Sequence, residues 1–232
     1  MATVYAVGVG PGDPELLTRK AERILRSVDV ILAPVSNPSE VSVALGTIRE
    51  FIDEERQEII VHQFPMTADK ARLIPAWKEA AALIATHMEA GRSVAFITIG
   101  DPLFYSTFIY LLRILRAQWP HLPIEIIPGI SSINAAASEA VLPLVEGDEK
   151  MVVIPATAGI EQIKAALSGY ETVVLLKVKP LYADIIELLR STGREQRTVF
   201  VERVGSPRQK VLTDFSEIAA HTPDYLSLMI IK

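Results

Sequence analysis

Short apolar segments alternate with helical patterns over residues 3–140, and this alternation limits the possible folds more than any other feature of the chain. Each segment is too short for a helix, and most lack the polar alternation of a strand with one exposed face. Such segments are typical of strands buried on both faces, as in parallel sheets covered by helices. We therefore expect an α/β protein whose first half contains a mostly parallel sheet.

Apolar runs, helical stripes and turn residues set the boundaries of these elements. Asp13 and Pro14 have the pattern of an N-cap followed by proline at the first helical position, which predicts that the first helix begins there. The predicted strands are 3–9, 28–33, 58–64, 93–99 and 124–127, and the predicted helices are 14–25, 39–52, 70–90, 104–117 and 131–140.

A segment rich in proline, glycine and charge, residues 142–150, interrupts this order and predicts a domain boundary. We expect an N-terminal domain over 1–144 and a C-terminal domain over 145–232. Gly205, Ser206 and Pro207 predict a turn between antiparallel strands, so the second sheet is expected to be mixed. Its predicted strands are 151–154, 172–178, 198–204, 210–213 and 225–231, with helices at 160–167 and 181–191.

Composition and charge exclude several function classes. The 232 residues include no cysteine, which excludes disulfides, cysteine-ligated metals and thiol chemistry. The formal charge of −5 argues against a nucleic-acid partner, and the four histidines lack metal-binding spacing, so no metal is expected. The longest uncharged stretches are too short to span a membrane, and no secretory signal precedes the first strand. We expect a cytoplasmic protein without a membrane partner.

The first predicted strand ends in a glycine-rich turn at residues 8–14. This turn resembles a dinucleotide-binding motif, but Asp13 stands where the third glycine is required. Pro11 also removes a backbone N–H that should face a pyrophosphate. The spacing therefore argues against a dinucleotide and leaves a structural turn as the alternative.

Two further turns of the same type follow predicted strands, at residues 100–102 and 128–132. Taken singly, each is consistent with a helix cap, formed by Asp101 in one and by Ser131 or Ser132 in the other. Ligands bind at the loops that leave the carboxyl ends of parallel strands. The common placement of the three turns therefore predicts a ligand site.

In these turns the sequence resembles the class III S-adenosylmethionine methyltransferases, also called tetrapyrrole methylases. The family's marks are an early V-G-x-G-P-G-D-P, a G-D-P turn after the fourth strand, and P-G-I-[ST]-[SA] before a helix of small residues. These motifs stand in order at 7–14, 100–102 and 128–132. The likeness continues through 173–178 and 201–205, and so covers essentially the whole chain.

The resemblance implies a homodimer in which each chain has two α/β domains and S-adenosylmethionine lies in the cleft between them. It also identifies nine positions as cofactor contacts. From the first domain these are Pro11, Gly100, Asp101, Phe104, Ser131 and Ser132, and from the second they are Lys177, Val204 and Leu226. Lys177 replaces a residue that is usually apolar in sibling enzymes, which makes a substrate contact an alternative role for it.

Within the family, the chain is most similar to the branch that methylates the C-20 meso carbon of precorrin-2 or cobalt-factor II in cobalamin biosynthesis. Residues 64–66, 100–107 and 143–149 carry this likeness. Methyl transfer from a sulfonium mainly requires that the two reacting carbons are held at attack distance. No nucleophilic side chain is needed, and the identity of any catalytic base stays unknown.

The implied substrate carries many carboxylates, which an acidic protein has to meet with local cations. The candidate substrate contacts are Lys177, Arg203 and Arg113, with Tyr105 and Tyr110 as flat partners for the macrocycle. Glu202 and Arg203 also stand out because charges in apolar strands are seldom buried unless they are paired or used. A structural salt bridge is the alternative for such residues.

Three alternatives stay open. The first is a sibling methyltransferase that acts on another tetrapyrrole, such as uroporphyrinogen III or precorrin-4, or on a macromolecule. The second is a nucleotide-dependent oxidoreductase. The third is a tetrapyrrole carrier that binds the macrocycle without turnover. Product masses distinguish the tetrapyrrole substrates. A preference for NADH over S-adenosylhomocysteine would support the second alternative, and binding without methylation would support the third.

Overall fold

The computed structural model describes residues 2–37, 41–67 and 69–232. The chain divides into two compact units, unit 1 (1–131) and unit 2 (132–232). The carbonyl oxygen of Leu144 accepts hydrogen bonds from Thr172 Oγ1 at 2.6 Å and Lys232 Nζ at 3.3 Å, so this residue is tied to the second sheet. The domain boundary between residues 144 and 145 stays a prediction.

Strands and helices alternate through most of the described residues. The strands are β1 (Val4–Gly8), β2 (Val30–Val35), β3 (Glu58–Gln63), β4 (Val94–Thr98), β5 (Ile124–Ile127), β6 (Met151–Pro155), β7 (Thr172–Leu176), β8 (Thr198–Glu202), β9 (Lys210–Leu212) and β10 (Ser227–Ile231). The helices are α1 (Arg19–Leu25), α2 (Val43–Ile48), α3 (Lys70–Glu89), α4 (Phe108–Gln118), α5 (Ser132–Glu139), α6 (Ile160–Gly169), α7 (Tyr182–Thr192) and α8 (Phe215–Ala220).

Unit 1 contains a parallel sheet with the strand order β3-β2-β4-β1-β5. All residues of β4 are buried, as expected for a central strand covered on both faces. Side chains of successive residues in β1 point to opposite faces, so Ala6 packs with α3 and α4 while Val7 packs with α1 and α2. The predicted parallel sheet of the first half is confirmed.

Unit 2 contains a mixed sheet with the order β6-β7-β10-β8-β9. Strands β6 and β7 are parallel, while β10 is antiparallel to both β7 and β8. The predicted turn after Gly205 joins β8 to the antiparallel β9, so the mixed sheet is confirmed. Leu175, Phe200 and Met229 share one hydrophobic cluster with α6, α7 and α8.

Two helices begin later than predicted. The Asp13 carboxylate accepts a hydrogen bond from Glu15 N and opens only a short 3-10 turn, and Thr18 then caps α1. The predicted start of the first helix at residue 14 is therefore wrong. Helix α4 begins at Phe108, because Tyr105 has a φ of 53° and cannot continue a right-handed helix from residue 104.

Two strands also end earlier than predicted. Lys177 and Arg203 have φ values of 56° and 49°, which lie in the left-handed region and are incompatible with an extended strand. Strand β7 therefore ends at Leu176 and β8 at Glu202. Both cations are placed in turns and not within the strands.

Two further differences between prediction and structure concern helices α2 and α8. Residues 39 and 40 of the predicted helix 39–52 lie outside the described residues, and α2 itself begins after Ser42, whose hydroxyl accepts from Leu45 N. Helix α8 was not predicted. Its signal is present in the sequence, because Asp214 caps the helix by accepting hydrogen bonds from Ser216 N and Glu217 N.

Candidate functional site

The central strands of unit 1 meet at a topological switch point. Strands β1 and β4 lie side by side, while α1, which follows β1, and α4, which follows β4, pack on opposite faces of the sheet. Connections that leave adjacent strands in opposite directions open a crevice at the carboxyl edge of the sheet, where ligands bind in α/β proteins. Two of the three predicted glycine turns leave from these strands.

Glycine allows the three turns to approach one another closely. A β-carbon on Gly129 would lie 2.1 Å from the carbonyl oxygen of Gly100, and one on Gly8 would lie 2.5 Å from the same oxygen. Both distances are far below any real contact, so only glycine fits at these positions. Gly100 N also donates to Gly10 O at 2.8 Å, which links the first two turns. We call Gly8, Gly10, Gly100 and Gly129 the glycine cradle.

Asp101 fastens the glycine cradle with its side chain. Its Oδ1 accepts a hydrogen bond from Leu103 N at 2.8 Å, and its Oδ2 accepts one from Gly129 N at 3.1 Å. The carboxylate thereby connects the second turn to the third. Each carboxylate oxygen keeps a further lone pair for a ligand, so the position is consistent with both a structural and a binding role.

Pro11 is buried beside the bridge between Gly10 and Gly100, so the structure brings it to Asp101's edge of the sheet. Ser131 follows the third turn, and Ser132 is the first residue of α5. Pro11, Gly100 and Asp101 therefore lie at the same end of the parallel sheet. Their cofactor roles stay predictions.

The loop after the second turn exposes three consecutive large side chains. Leu103, Phe104 and Tyr105 have exposed fractions of 49%, 40% and 47%. The rings of Phe104 and Tyr105 meet edge to face with centroids 5.0 Å apart. Adjacent exposed apolar residues are a cost for a soluble protein unless they contact a ligand or partner. This segment is therefore a candidate contact for a flat hydrophobic ligand.

Tyr110 and Arg113 lie apart from that loop in sequence, on α4, and form a different arrangement. The Tyr110 ring stacks on Trp77 of α3 with centroids 4.0 Å apart and an interplanar angle of 1°. The Arg113 guanidinium lies 6.0 Å from the Tyr110 ring centroid. The pairing of Trp77 with Tyr110 was not predicted because the two residues are far apart in sequence.

In unit 2 the predicted site residues gather at one edge of the mixed sheet. Leu228 pairs with Leu176 and Ser227 pairs with Glu202, so the start of β10 lies between the ends of β7 and β8. Consequently Leu226 lies between Lys177 and Arg203 along this edge. Arg203 N donates to Leu226 O at 2.7 Å.

Arg203 is held by an acidic partner that sequence reasoning missed. Its Nε lies 2.6 Å and its Nη2 2.5 Å from Asp224 Oδ2, and both side chains are largely shielded from water. Burial raises the pKa of Asp224, but the hydrogen bond from Arg203 and backbone N–H groups outweigh it and hold the pKa below its usual value. A pair separated by 21 residues leaves no local pattern in a sequence.

Two of the histidines, His62 and His221, take part in hydrogen bonds with residues on other elements. His62 Nε2 lies 3.1 Å from Ala76 O, and His221 Nε2 lies 3.1 Å from Glu202 Oε2. Over residues 2–37, 41–67 and 69–232, no group of three or more histidine, aspartate or glutamate side chains is arranged to hold a metal ion. Within the same ranges, no helix combines the length and apolar character needed to cross a membrane.

The fold and the glycine cradle define a two-unit α/β protein with a candidate small-molecule site at the carboxyl edge of a parallel sheet. Comparison with known families identifies the family within this class. The chain belongs to the Tetrapyrrole (Corrin/Porphyrin) Methylases, whose family model matches residues 3–219. The predicted family is confirmed.

Similar proteins span nearly the whole chain. A cobalt-precorrin-2 C(20)-methyltransferase from Salmonella typhimurium is 35% identical over 231 residues, which cover 99% of this chain and 95% of that protein. A precorrin-2 C(20)-methyltransferase from a Sinorhizobium species is 32% identical over 236 residues, which cover 98% and 94%.

A solved structure shares the fold. Uroporphyrin-III C-methyltransferase from Thermus thermophilus, complexed with S-adenyl homocysteine, has a TM-score of 0.68 at 24% identity and covers 99% of this chain and 92% of that chain. The predicted combination of a parallel and a mixed sheet therefore agrees with this neighbour.

Proposed function

We propose that this protein transfers a methyl group from S-adenosylmethionine to the C-20 meso carbon of a reduced tetrapyrrole, precorrin-2 or its cobalt form, in cobalamin biosynthesis. The observation that carries the proposal is the glycine cradle at the switch point of a chain that belongs to the tetrapyrrole methylases. Both relatives named above act at C(20) according to their names, so substrates of sibling enzymes are not favoured.

The glycine cradle fits the proposed methyl donor. A β-carbon on Gly100 would meet no atom within 4 Å, so the backbone of this turn faces open space. A nucleoside carrying an amino acid needs backbone amides and carbonyls at close range, which glycine turns provide. Pro11, Gly100 and Asp101 would hold it from unit 1, together with Phe104 and Ser131, and Ser132 would hold it from the start of unit 2. S-adenosylmethionine supplies an electrophilic methyl group when it is bound.

The protein's own contribution is to orient the acceptor and to keep water away from it. The reaction forms one carbon–carbon bond at C-20, breaks the carbon–sulfur bond of the sulfonium and releases the C-20 proton, leaving S-adenosylhomocysteine. Orientation alone can supply roughly 7–11 kcal/mol toward such a transfer. We assign no side chain as the base that takes the proton.

The substrate contacts follow from shape and charge. Phe104 and Tyr105 expose aromatic surface beside the glycine cradle, which suits a flat macrocycle. The substrate's carboxylates require cations, although the whole chain carries a formal charge of −5. Lys177 and Arg203 lie at one edge of the unit 2 sheet and are the proposed partners, with Arg113 and Tyr110 as further contacts from α4.

We also infer that the protein is a cytoplasmic homodimer, on the resemblance to its family. Analytical ultracentrifugation at several concentrations tests the dimer. A sedimenting species of one chain at all concentrations would contradict it. Fractionation of the native host tests the location.

The activity is tested by anaerobic incubation of the purified protein with S-adenosylmethionine carrying a 13C methyl group. Precorrin-2 and cobalt-precorrin-2 are supplied in parallel, and uroporphyrinogen III and precorrin-4 serve as sibling substrates. We expect one added methyl group by mass spectrometry and a labelled carbon at C-20 by NMR. The ratio of the two rates shows which form of the substrate is preferred.

Three outcomes would overturn the proposal. Methylation of a sibling substrate alone would assign the chain to another reaction of the family. Binding of NADH in preference to S-adenosylhomocysteine, measured by calorimetry, would favour an oxidoreductase. A protein that binds the tetrapyrrole and S-adenosylhomocysteine without any methylation would be a carrier.

A further inference from the structure

Unit 2 contains a buried carboxylate to which the proposed reaction assigns no role. Glu202 is the last residue of β8, and it is only 6% exposed. A buried carboxylate costs free energy unless several donors satisfy it. The groups that contact the Glu202 carboxylate therefore indicate its role.

The partners of Glu202 all come from other segments of unit 2. Its Oε2 accepts a hydrogen bond from Asp224 N at 2.6 Å and lies 3.1 Å from His221 Nε2. Its Oε1 lies 4.0 Å from Lys210 Nζ on the neighbouring strand β9. The carboxylate also contributes to raising the pKa of Tyr182, which places that phenol nearby. The 221–224 turn is thus bound to the end of β8 through one side chain.

The same turn controls two predicted site residues. Asp224 holds the Arg203 guanidinium, and Asp224 O accepts a hydrogen bond from Ser227 Oγ at 2.7 Å. Leu226 is fixed between these contacts because its carbonyl oxygen accepts from Arg203 N. Loss of the Glu202 anchor would therefore displace a proposed substrate contact and a proposed cofactor contact together.

We propose that Glu202 is a positioning residue, which orients Arg203 toward the carboxylates of the tetrapyrrole and Leu226 toward the methyl donor by anchoring the 221–224 turn. This inference rests on the proposed function. Glu202 touches neither ligand and acts through Asp224. A positioning role predicts a change in binding that exceeds any change in the chemical step.

The test compares Glu202→Gln and Glu202→Ala with two controls in unit 2. Glu187→Ala removes an exposed glutamate on α7, and Val174→Ala weakens the sheet core without touching the turn. We expect Glu202→Ala to raise KM for both S-adenosylmethionine and the tetrapyrrole by about tenfold, with kcat within about twofold of the wild type. Glu202→Gln keeps one acceptor oxygen and should recover part of the loss.

Hydrogen exchange at the Asp224 and Leu226 amides gives a readout that does not depend on activity. We expect both Glu202 variants to exchange these two amide protons faster than the wild type does. Val174→Ala should exchange them at the wild-type rate when it is compared with a Glu202 variant of matched thermal stability. Equal effects of Val174→Ala and Glu202→Gln, or a loss confined to kcat, would overturn the inference. A wild-type protein that fails to bind S-adenosylhomocysteine would refute the proposed function instead, and the exchange rates would still decide whether Glu202 anchors the turn.

Discussion

The two units hold their strand-end segments by opposite means. In unit 1, Gly8, Gly100 and Gly129 bring backbones into direct contact, and their lack of side chains makes this possible. In unit 2, the turns after β8 and before β10 are joined by charged side chains, Glu202 to Asp224 N and Arg203 to Asp224. Unit 1 should therefore be sensitive to added volume, and unit 2 to lost charge.

This contrast matches the demands of the two regions. A backbone cradle presents amides and carbonyls to a ligand at short range, and the contacts between its glycines carry no titratable group. A network of charges places long side chains such as Arg203 with directional hydrogen bonds, and its strength depends on protonation. The following predictions test that difference, beginning with the largest expected effect.

Gly129→Ala should have the largest effect, because its β-carbon would lie 2.1 Å from Gly100 O. We expect the free energy of unfolding to fall by about 3 kcal/mol or more, with loss of S-adenosylhomocysteine binding. Urea unfolding and calorimetry measure the two quantities. Gly46→Ala on α2 is the control, because a β-carbon on Gly46 would meet no atom within 4 Å. This substitution should leave the free energy of unfolding unchanged or raise it by up to about 1 kcal/mol.

Asp101→Ala should weaken binding more than folding. It removes the acceptors of Leu103 N and Gly129 N, so we expect S-adenosylhomocysteine affinity to fall about thirtyfold or more, which is about 2 kcal/mol, and the free energy of unfolding to fall by about 1 kcal/mol. Asp69→Ala removes the cap of α3 and serves as the control, with a stability loss of about 1 kcal/mol and unchanged affinity. A folded Asp101→Ala protein with wild-type affinity would contradict the prediction.

Asp224→Asn tests the charged network of unit 2. The pKa of Asp224 is lower in the folded chain than in the unfolded one, so its stabilising contribution is present above the usual value of 3.8 and is lost as pH falls through the folded pKa. We expect the variant to lose about 1 kcal/mol at neutral pH and the difference from wild type to shrink toward strong acid. Unfolding free energies measured from pH 7 downward would show a constant difference if the prediction is wrong.

Tyr182→Phe should have the smallest effect at neutral pH and a distinct one in alkali. The Tyr182 hydroxyl donates to Ile218 O at 2.7 Å, and burial together with the Glu202 charge raises the pKa of Tyr182 from 10.0 to about 12. The folded protein keeps this proton to higher pH than the unfolded chain, so stability falls as pH rises through that range.

The free energy of unfolding of Tyr182→Phe should therefore be about 0.5 kcal/mol lower than that of the wild type at pH 7 but should decline less steeply between pH 10 and 12. Exposed Tyr170 provides the control, and Tyr170→Phe should follow the wild-type curve. Parallel alkaline curves for wild type and Tyr182→Phe would contradict the assignment.

Local patterns were sufficient to predict most elements. The apolar runs of β1 and β4, the exact bounds of β5, and the hairpin after Gly205 agree with the structure because burial and turn chemistry act over a few residues. The starts of α1 and α4 were missed. In both cases an aspartate with a short local hydrogen bond formed a separate turn before the helix, and a sequence pattern does not distinguish this turn from a helix cap.

The candidate site also combines features that the sequence predicted with features that it did not. The glycine turns and their placement at strand ends were evident from the sequence, because only glycine tolerates a close approach of backbones. The partners of charged and aromatic residues were not evident. Arg203 pairs with Asp224 and Tyr110 stacks on Trp77, and each pair joins segments that the chain brings together only on folding.

The sequence by itself determined the family through the resemblance of its turn motifs. It also determined the parallel and mixed sheets and the three turns that form the glycine cradle, since these depend on hydrophobic period and on glycine. Only the tertiary structure decided that Asp101 joins two turns and that Glu202 is buried beneath the 221–224 turn. The physical reason is the distance along the chain over which each interaction acts. Propensity and burial act along neighbouring residues, whereas a carboxylate finds its hydrogen-bond donors wherever the fold places them.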